Sequence, residues 1–153
     1  MIESTILFVT LLCFGYSALM DYKYREVENR LWIIFGSIGV ASLLYVSSTL
    51  PFWSIVTACV FALSLWFWGA FGGADAKAII TLSLLMPLGF DGNTPFFPLV
   101  CVAFGVCFAN IPVVYTVVKR KNLRTLKIPF LVYLFAGILL SLFVGRWFIE
   151  LIL

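Results

Sequence analysis

From Leu31 to Ala74 the chain runs without a charged residue, and from Thr94 to Val118 it does so again. A helix in water needs a polar face, and soluble domains carry about 25% charged residues. Here the charged share is 11% against 63% hydrophobic. A soluble protein of 153 residues could not hide that much apolar surface in one core, so lipid must cover much of it. This uncharged patterning predicts an all-α fold: a polytopic membrane helix bundle of about six transmembrane helices.

A helix needs about 20 apolar residues to cross the hydrocarbon. The expected spans are Ser4–Met20, Leu31–Leu50, Pro51–Ala70, a shorter Asp75–Phe90, Pro98–Val118 and Pro129–Leu151. Ser47–Pro51, Gly72-Gly73 and Asp91–Pro95 punctuate the joints. No linker or low-complexity tract divides residues 1–153, which are expected to form a single membrane-embedded domain. The first span carries Glu3 instead of a basic start and shows no small-residue cleavage site before Asp21, so it is read as a permanent helix rather than a signal.

Basic residues orient such a bundle. Lys23, Arg25 and Arg30 follow span one, Lys77 opens span four, and Lys119, Arg120, Lys121, Arg124 and Lys127 follow span five. These hold nine of the ten basic residues, and alternation puts them all on one side, which makes that side cytoplasmic. Asp21 and Asp75 then both lie at cytoplasmic helix ends. A carboxylate at a membrane boundary is costly, which makes each a functional candidate. The tryptophans, Trp32 among them, fall toward span ends as an interfacial belt would.

Absences narrow the chemistry. The chain has no histidine, which rules out a Ser-His-Asp triad, a Cys-His pair and a His-Glu-x-x-His zinc site. Cys13, Cys59, Cys101 and Cys107 lack metal-binding spacing and are read as buried structural thiols. No metal or cofactor is expected. The basic run at 119–127 serves as a topology signal, and no nucleic-acid footprint accompanies it.

Two aspartates can share a proton. One carboxylate activates a water while its protonated partner donates to the carbonyl oxygen of a scissile amide. Helix ends favour Asp75 as the ionised partner, since it opens span four, and Asp21, which closes span one, as the protonated one. Gly72 and Gly73 remove Cβ bulk, so the turn can close tightly and a partner can approach the backbone.

Gly72-Gly73-Ala74-Asp75-Ala76-Lys77 resembles the Gly-x-hydrophobic-Asp motif of the prepilin and preflagellin peptidases. Asp21 followed by Arg25, Val27, Asn29 and Arg30 is similar to the first-aspartate segment of that family, in its archaeal branch. The resemblance implies that Asp21 and Asp75 form a catalytic dyad, supported by Gly72, Gly73, Ala74 and Lys77. It implies an aspartyl endopeptidase that cuts the basic leader from precursor pilins or archaellins at the cytoplasmic face of the cell membrane. Glu28 stands where family members often carry proline, which puts the local turn in question. The bacterial enzymes' amino-terminal cysteine-bearing segment has no counterpart in this sequence, so peptidase activity without methyl transfer is expected.

Lys127, Pro129 and Phe130 look like a family segment before the last span and are candidate substrate contacts, with a helix start at Pro129 as the simpler reading. Glu26 and Glu28 are further candidates for meeting a basic leader, with a solvated juxtamembrane turn as the simpler reading. The cytoplasmic basic residues would meet anionic lipid headgroups. Asn110 and Pro112 are expected to kink span five. Two alternatives stay open: a broader presenilin-like intramembrane aspartyl protease, and a non-enzymatic small transporter using the acids for ion or proton passage.

Overall fold

The computed structural model describes residues 2–43, 50–86, 97–119 and 128–152, and among these every regular element is an α-helix. There are six: α1 (Ile2–Tyr24), α2 (Asn29–Leu43), α3 (Leu50–Phe67), α4 (Gly73–Leu85), α5 (Phe97–Val118) and α6 (Phe130–Ile152). Each coincides with one expected span. At the first candidate aspartate the boundary differs: α1 continues through Asp21 to Tyr24.

Two stretches, Ser4–Tyr24 and Phe97–Val118, are long and apolar enough to cross a membrane. The apolar parts of α2, α3 and α6 (Asn29–Leu43, Phe52–Phe67 and Phe130–Val144) are shorter. At 13 residues, α4 reaches about 20 Å, short of a hydrocarbon core about 30 Å thick. Its surroundings explain its composition. Among the described residues α4 touches all five other helices. Ala76, Ala78, Ile79, Thr81, Leu82, Ser83 and Leu85 are buried, so small and apolar residues surround its axis. It is the hub of the bundle.

Glycines let the surrounding helices close. A Cβ on Gly39 of α2 would lie 2.7 Å from Leu84 Cβ and 2.9 Å from the Leu84 carbonyl carbon of α4. A Cβ on Gly137 of α6 would collide with the Cys101 carbonyl and lie 2.8 Å from the Gly105 amide of α5. Small residues at such crossings allow backbones to approach, the means of helix association where burial from water is weak. Two buried hydroxyls bond within their own helices: Ser17 donates to the Cys13 carbonyl at 2.7 Å and Ser141 to the Gly137 carbonyl at 2.8 Å.

The outer surface is apolar. Phe8, Leu12, Tyr16 and Leu19 on α1, and Ile111, Val114, Tyr115 and Val118 on α5, are exposed. Two sequence expectations change here. Trp32 is core rather than belt: it is 5% exposed and tilts against Phe14 at 6.1 Å, whereas Trp53, Trp66 and Trp68 are exposed. Among the thiols, Cys13 and Cys101 are buried, Cys59 is half-buried and Cys107 is exposed on the outward side of α5. A helix hydrophobic all round gives no sequence signal for which cysteine turns outward.

Candidate active site

Asp75 lies in the first turn of α4. Its Oδ2 accepts the Gly72 N–H at 2.9 Å, while the Ala76 N–H reaches the Gly72 carbonyl at 3.1 Å to close the turn. The first four N–H groups of a helix lack internal partners, and an acidic side chain returning to the preceding amide satisfies one of them. Gly72 has extended backbone at φ −72°, ψ 162°, which any residue can adopt. The constraint at this position is space: a Cβ there would stand 3.3 Å from Asp75 Oδ2. At Gly73 a Cβ would meet only Trp66 Nε1 at 3.9 Å, an ordinary contact. The left-handed residue of the α3–α4 connection is Gly69, at φ 72°, so the tight turn lies earlier than the Gly72-Gly73 pair implied.

Asp21 lies in the last turn of α1 rather than beyond it. Its Oδ2 accepts the N–H of Leu131 at 3.1 Å, across 110 positions of sequence. Leu131 is in the first turn of α6, so its amide is one of that helix's unpaired donors. Immediately after α1, Arg25 takes φ 59°, and its charge acts on Asp21. The two carboxylates are both half-buried, and the charge of Asp21 is felt at Asp75.

Each acid therefore rests on the amino terminus of a helix: Asp75 on its own, α4, and Asp21 on α6. The dipole distinction drawn from α1 alone loses its basis, because α6 brings a positive helix end to Asp21 as well. Each carboxylate accepts one backbone N–H, so hydrogen bonding does not rank them either.

The remaining sequence candidates separate into groups. Ala74 is half-buried beside Asp75. Lys77 follows Asp75 by two positions, about 200° around the helix. It faces α2, where its Nζ donates to Asn29 Oδ1 at 2.6 Å. Glu26 and Glu28 are exposed in the α1–α2 connection, and the Glu28 carbonyl accepts the Leu31 N–H at 3.2 Å, so this turn forms without proline. The Pro129 carbonyl accepts the Val132 N–H at 3.1 Å at the start of α6. Phe130 is buried, its ring 4.6 Å from Phe71 in the loop before Gly72. That contact ties the α6 start to the α4 start. Lys127 lies outside the described residues. Asn110 turns back on its own helix, donating to the Val106 carbonyl at 2.8 Å. Among the described residues, no three acidic or cysteine side chains gather as a metal set.

A sequence model of the type IV leader peptidase family matches residues 7–145. The chain belongs to the type IV leader peptidase family. A preflagellin peptidase from Methanococcus maripaludis is 31% identical over 78 residues, a match covering 46% of this chain and 34% of that protein. The alignment thus spans about a third of that relative's length. Among solved structures none matches significantly.

Two partners in this leader peptidase family member escaped the sequence. The Leu131 amide had no signal, being a backbone group whose role depends on where α6 begins. Asn29 was visible within the first-aspartate segment, but its pairing with Lys77 depends on α2 lying beside α4.

Proposed function

We propose that the chain is a membrane-embedded aspartyl endopeptidase in which Asp21 and Asp75 act as one dyad on precursor pilins or archaellins. The observation that carries this reading is that α1, which bears Asp21, packs against α4, which bears Asp75. The two acids stand on helices separated by two others in sequence, yet near enough for one charge to act on the other, each seated on a helix amino terminus. Family membership supports leader processing as the reaction.

In the proposed reaction the pair holds one proton. The ionised carboxylate takes a proton from water, whose oxygen adds to the scissile carbonyl carbon, while the protonated partner donates to the carbonyl oxygen. Collapse of the tetrahedral adduct breaks the C–N bond and transfers a proton to the leaving amine. A dyad that shares one proton titrates as a pair. Activity should fall on both the acid and alkaline sides of one maximum.

We further infer six membrane spans in a single domain, with the dyad at the cytoplasmic boundary and no methyl transfer. The apolar outer faces of α1 and α5 support contact with lipid, and the clustering of basic residues supports the orientation. The decisive experiment incubates the purified, reconstituted protein with candidate precursors beside Asp21→Asn and Asp75→Asn variants. Cleavage ahead of the substrate's hydrophobic helix, lost in both variants while their folds persist, is expected. Cleavage that survives either substitution would overturn the dyad, and cleavage within a substrate helix would favour the presenilin-like reading. The mass of the mature amino terminus shows whether a methyl group is added.

A further inference from the structure

Each acid accepts from the amide that directly follows a phenylalanine. Asp75 Oδ2 takes the Gly72 N–H at 2.9 Å, and Phe71 precedes that amide; Asp21 Oδ2 takes the Leu131 N–H at 3.1 Å, and Phe130 precedes that one. The rings of these two phenylalanines are the pair whose centroids lie 4.6 Å apart, tilted by 36°. Aromatic pairs prefer centroids about 4.5–7 Å apart, so this one sits at the close end of the range.

A peptide unit is planar and stiff. A shift at the Cα of Phe71 therefore carries the Gly72 N–H with it, and a shift at Phe130 carries the Leu131 N–H. Both backbones are anchored separately. The Phe71 N–H donates to the Leu65 carbonyl in the last turn of α3 at 3.3 Å, whereas the Pro129 carbonyl accepts the Val132 N–H in the first turn of α6. Direct packing of α6 on α4 is sparse beside its packing on α1 and α5, so the ring contact reinforces a thin junction between the two seats. Phe130 is buried and Phe71 half-buried, and core filling accounts for their apolar character. It gives no reason for both rings to stand one residue ahead of a carboxylate's donor.

We propose that the Phe71–Phe130 pair is a positioning clasp that sets the distance between Asp21 and Asp75. The inference rests on the dyad reading and deepens it. The clasp touches no reacting atom; it acts through the two amides. Loosening it lets the carboxylates drift apart, and displacement of a catalytic group by about 1 Å can cost about 10²-fold in rate. Wider separation also weakens the repulsion that divides the two protonation steps of a dyad, so those steps draw together.

The test follows rate and titration on the full chain in nanodiscs. The chain has three aspartates, Asp21, Asp75 and Asp91, so carboxyl-labelled aspartate gives three carbon NMR signals, and Asp91→Asn identifies the third. Phe71→Leu and Phe130→Leu should each lower kcat for precursor cleavage about 10-fold with KM changed less than about twofold, and narrow the gap between the two titration steps. The double variant should lose no more than the worse single, since both break one contact. Phe71→Tyr keeps the ring and should restore rate and gap. Arg25, whose charge also acts on Asp21, is kept in every variant. Phe97→Leu is the control for lost core volume. Phe97 is 3% exposed, and α5 runs opposite to α6, with Gly105 by Leu134 and Cys101 by Gly137, which puts Phe97 farther from the clasp. It should lower the thermal midpoint without moving the gap. A gap unchanged in Phe71→Leu, or narrowed equally in Phe97→Leu, overturns the proposal. Phe71 stands outside the helices, so its variant reads the outcome even where Phe130→Leu does not fold. The titration needs no substrate, which separates failure of the clasp from failure of the peptidase reading, tested by cleavage in Asp21→Asn and Asp75→Asn.

Discussion

The two acids are held in opposite ways. Asp75 bonds to an amide three residues before it, within the turn that starts its own helix. Asp21 bonds to an amide 110 residues away, on a helix that must first be packed into place. One seat is built by local sequence and the other by the whole bundle. A local seat survives when distant helices shift, whereas a long-range seat reports on every contact that positions α6. The geometry of the pair is therefore as reliable as the α1–α6 packing, and no more.

The comparison breaks outright if the acids are unequal in chemistry. Asp21→Asn and Asp75→Asn should each cut kcat/KM for precursor cleavage by about 10²–10⁴-fold, the range for a positioned acid or base. A loss confined to one of them would leave the other as a structural cap. For Asp75 that simpler role has a ready form, since its carboxylate already closes the amino terminus of α4.

Next in size are two glycine crossings, one behind each seat. Gly137→Ala pushes α6 from α5, and Gly39→Ala pushes α2 from α4; overpacking of this kind costs typically 1–3 kcal/mol. Both should lower the thermal midpoint in detergent. Gly137→Ala should also lower cleavage in conditions where the protein stays folded, because it displaces the Leu131 amide. Gly39→Ala should leave cleavage closer to normal, because the bond from Gly72 to Asp75 travels with its own helix. Equal losses of cleavage at equal stability would erase the distinction between the seats.

Lengthening each acid by one methylene sharpens it further. Glutamate is favoured three residues into a helix for the same return bond to the cap. Asp75→Glu should therefore change stability by less than about 0.5 kcal/mol. Asp21→Glu carries its carboxylate beyond the Leu131 amide and should cost about 1 kcal/mol, the net worth of a typical hydrogen bond. Unfolding of both variants by the same probe is the measurement.

The same division separates what was legible in the sequence from what was not. Helix positions were legible, because uncharged stretches, Gly-Gly and Pro-bearing joints act within a few residues. The Asp75 seat was legible in outline for the same reason. The partner of Asp21, the pairing of Asn29 with Lys77 and the burial of Trp32 were not, since each depends on which helices are neighbours. Helices that are apolar all round carry little periodicity to indicate a facing side. The turn residue was misplaced from Gly69 to Gly72-Gly73 because composition alone does not tell a glycine required by a positive φ from one required by space.

The smallest effect tests whether the long-range seat includes the strained residue after it. Arg25 adopts φ 59°, a region that costs most L-residues about 1–2 kcal/mol and glycine almost nothing. On backbone grounds alone Arg25→Gly should stabilise the fold slightly, by at most about 1 kcal/mol. Its guanidinium, however, acts electrostatically on Asp21, and glycine abolishes that influence. Arg25→Lys keeps a positive charge and the strain; Arg25→Gly removes both. If Arg25→Gly is more stable yet a few-fold slower in cleavage, and Arg25→Lys retains the rate, then the strain is tolerated for the sake of the charge beside Asp21. If Arg25→Gly is more stable and cleaves as fast, Arg25 ends α1 and does nothing more. Strain at a candidate site gains a functional meaning only through that difference.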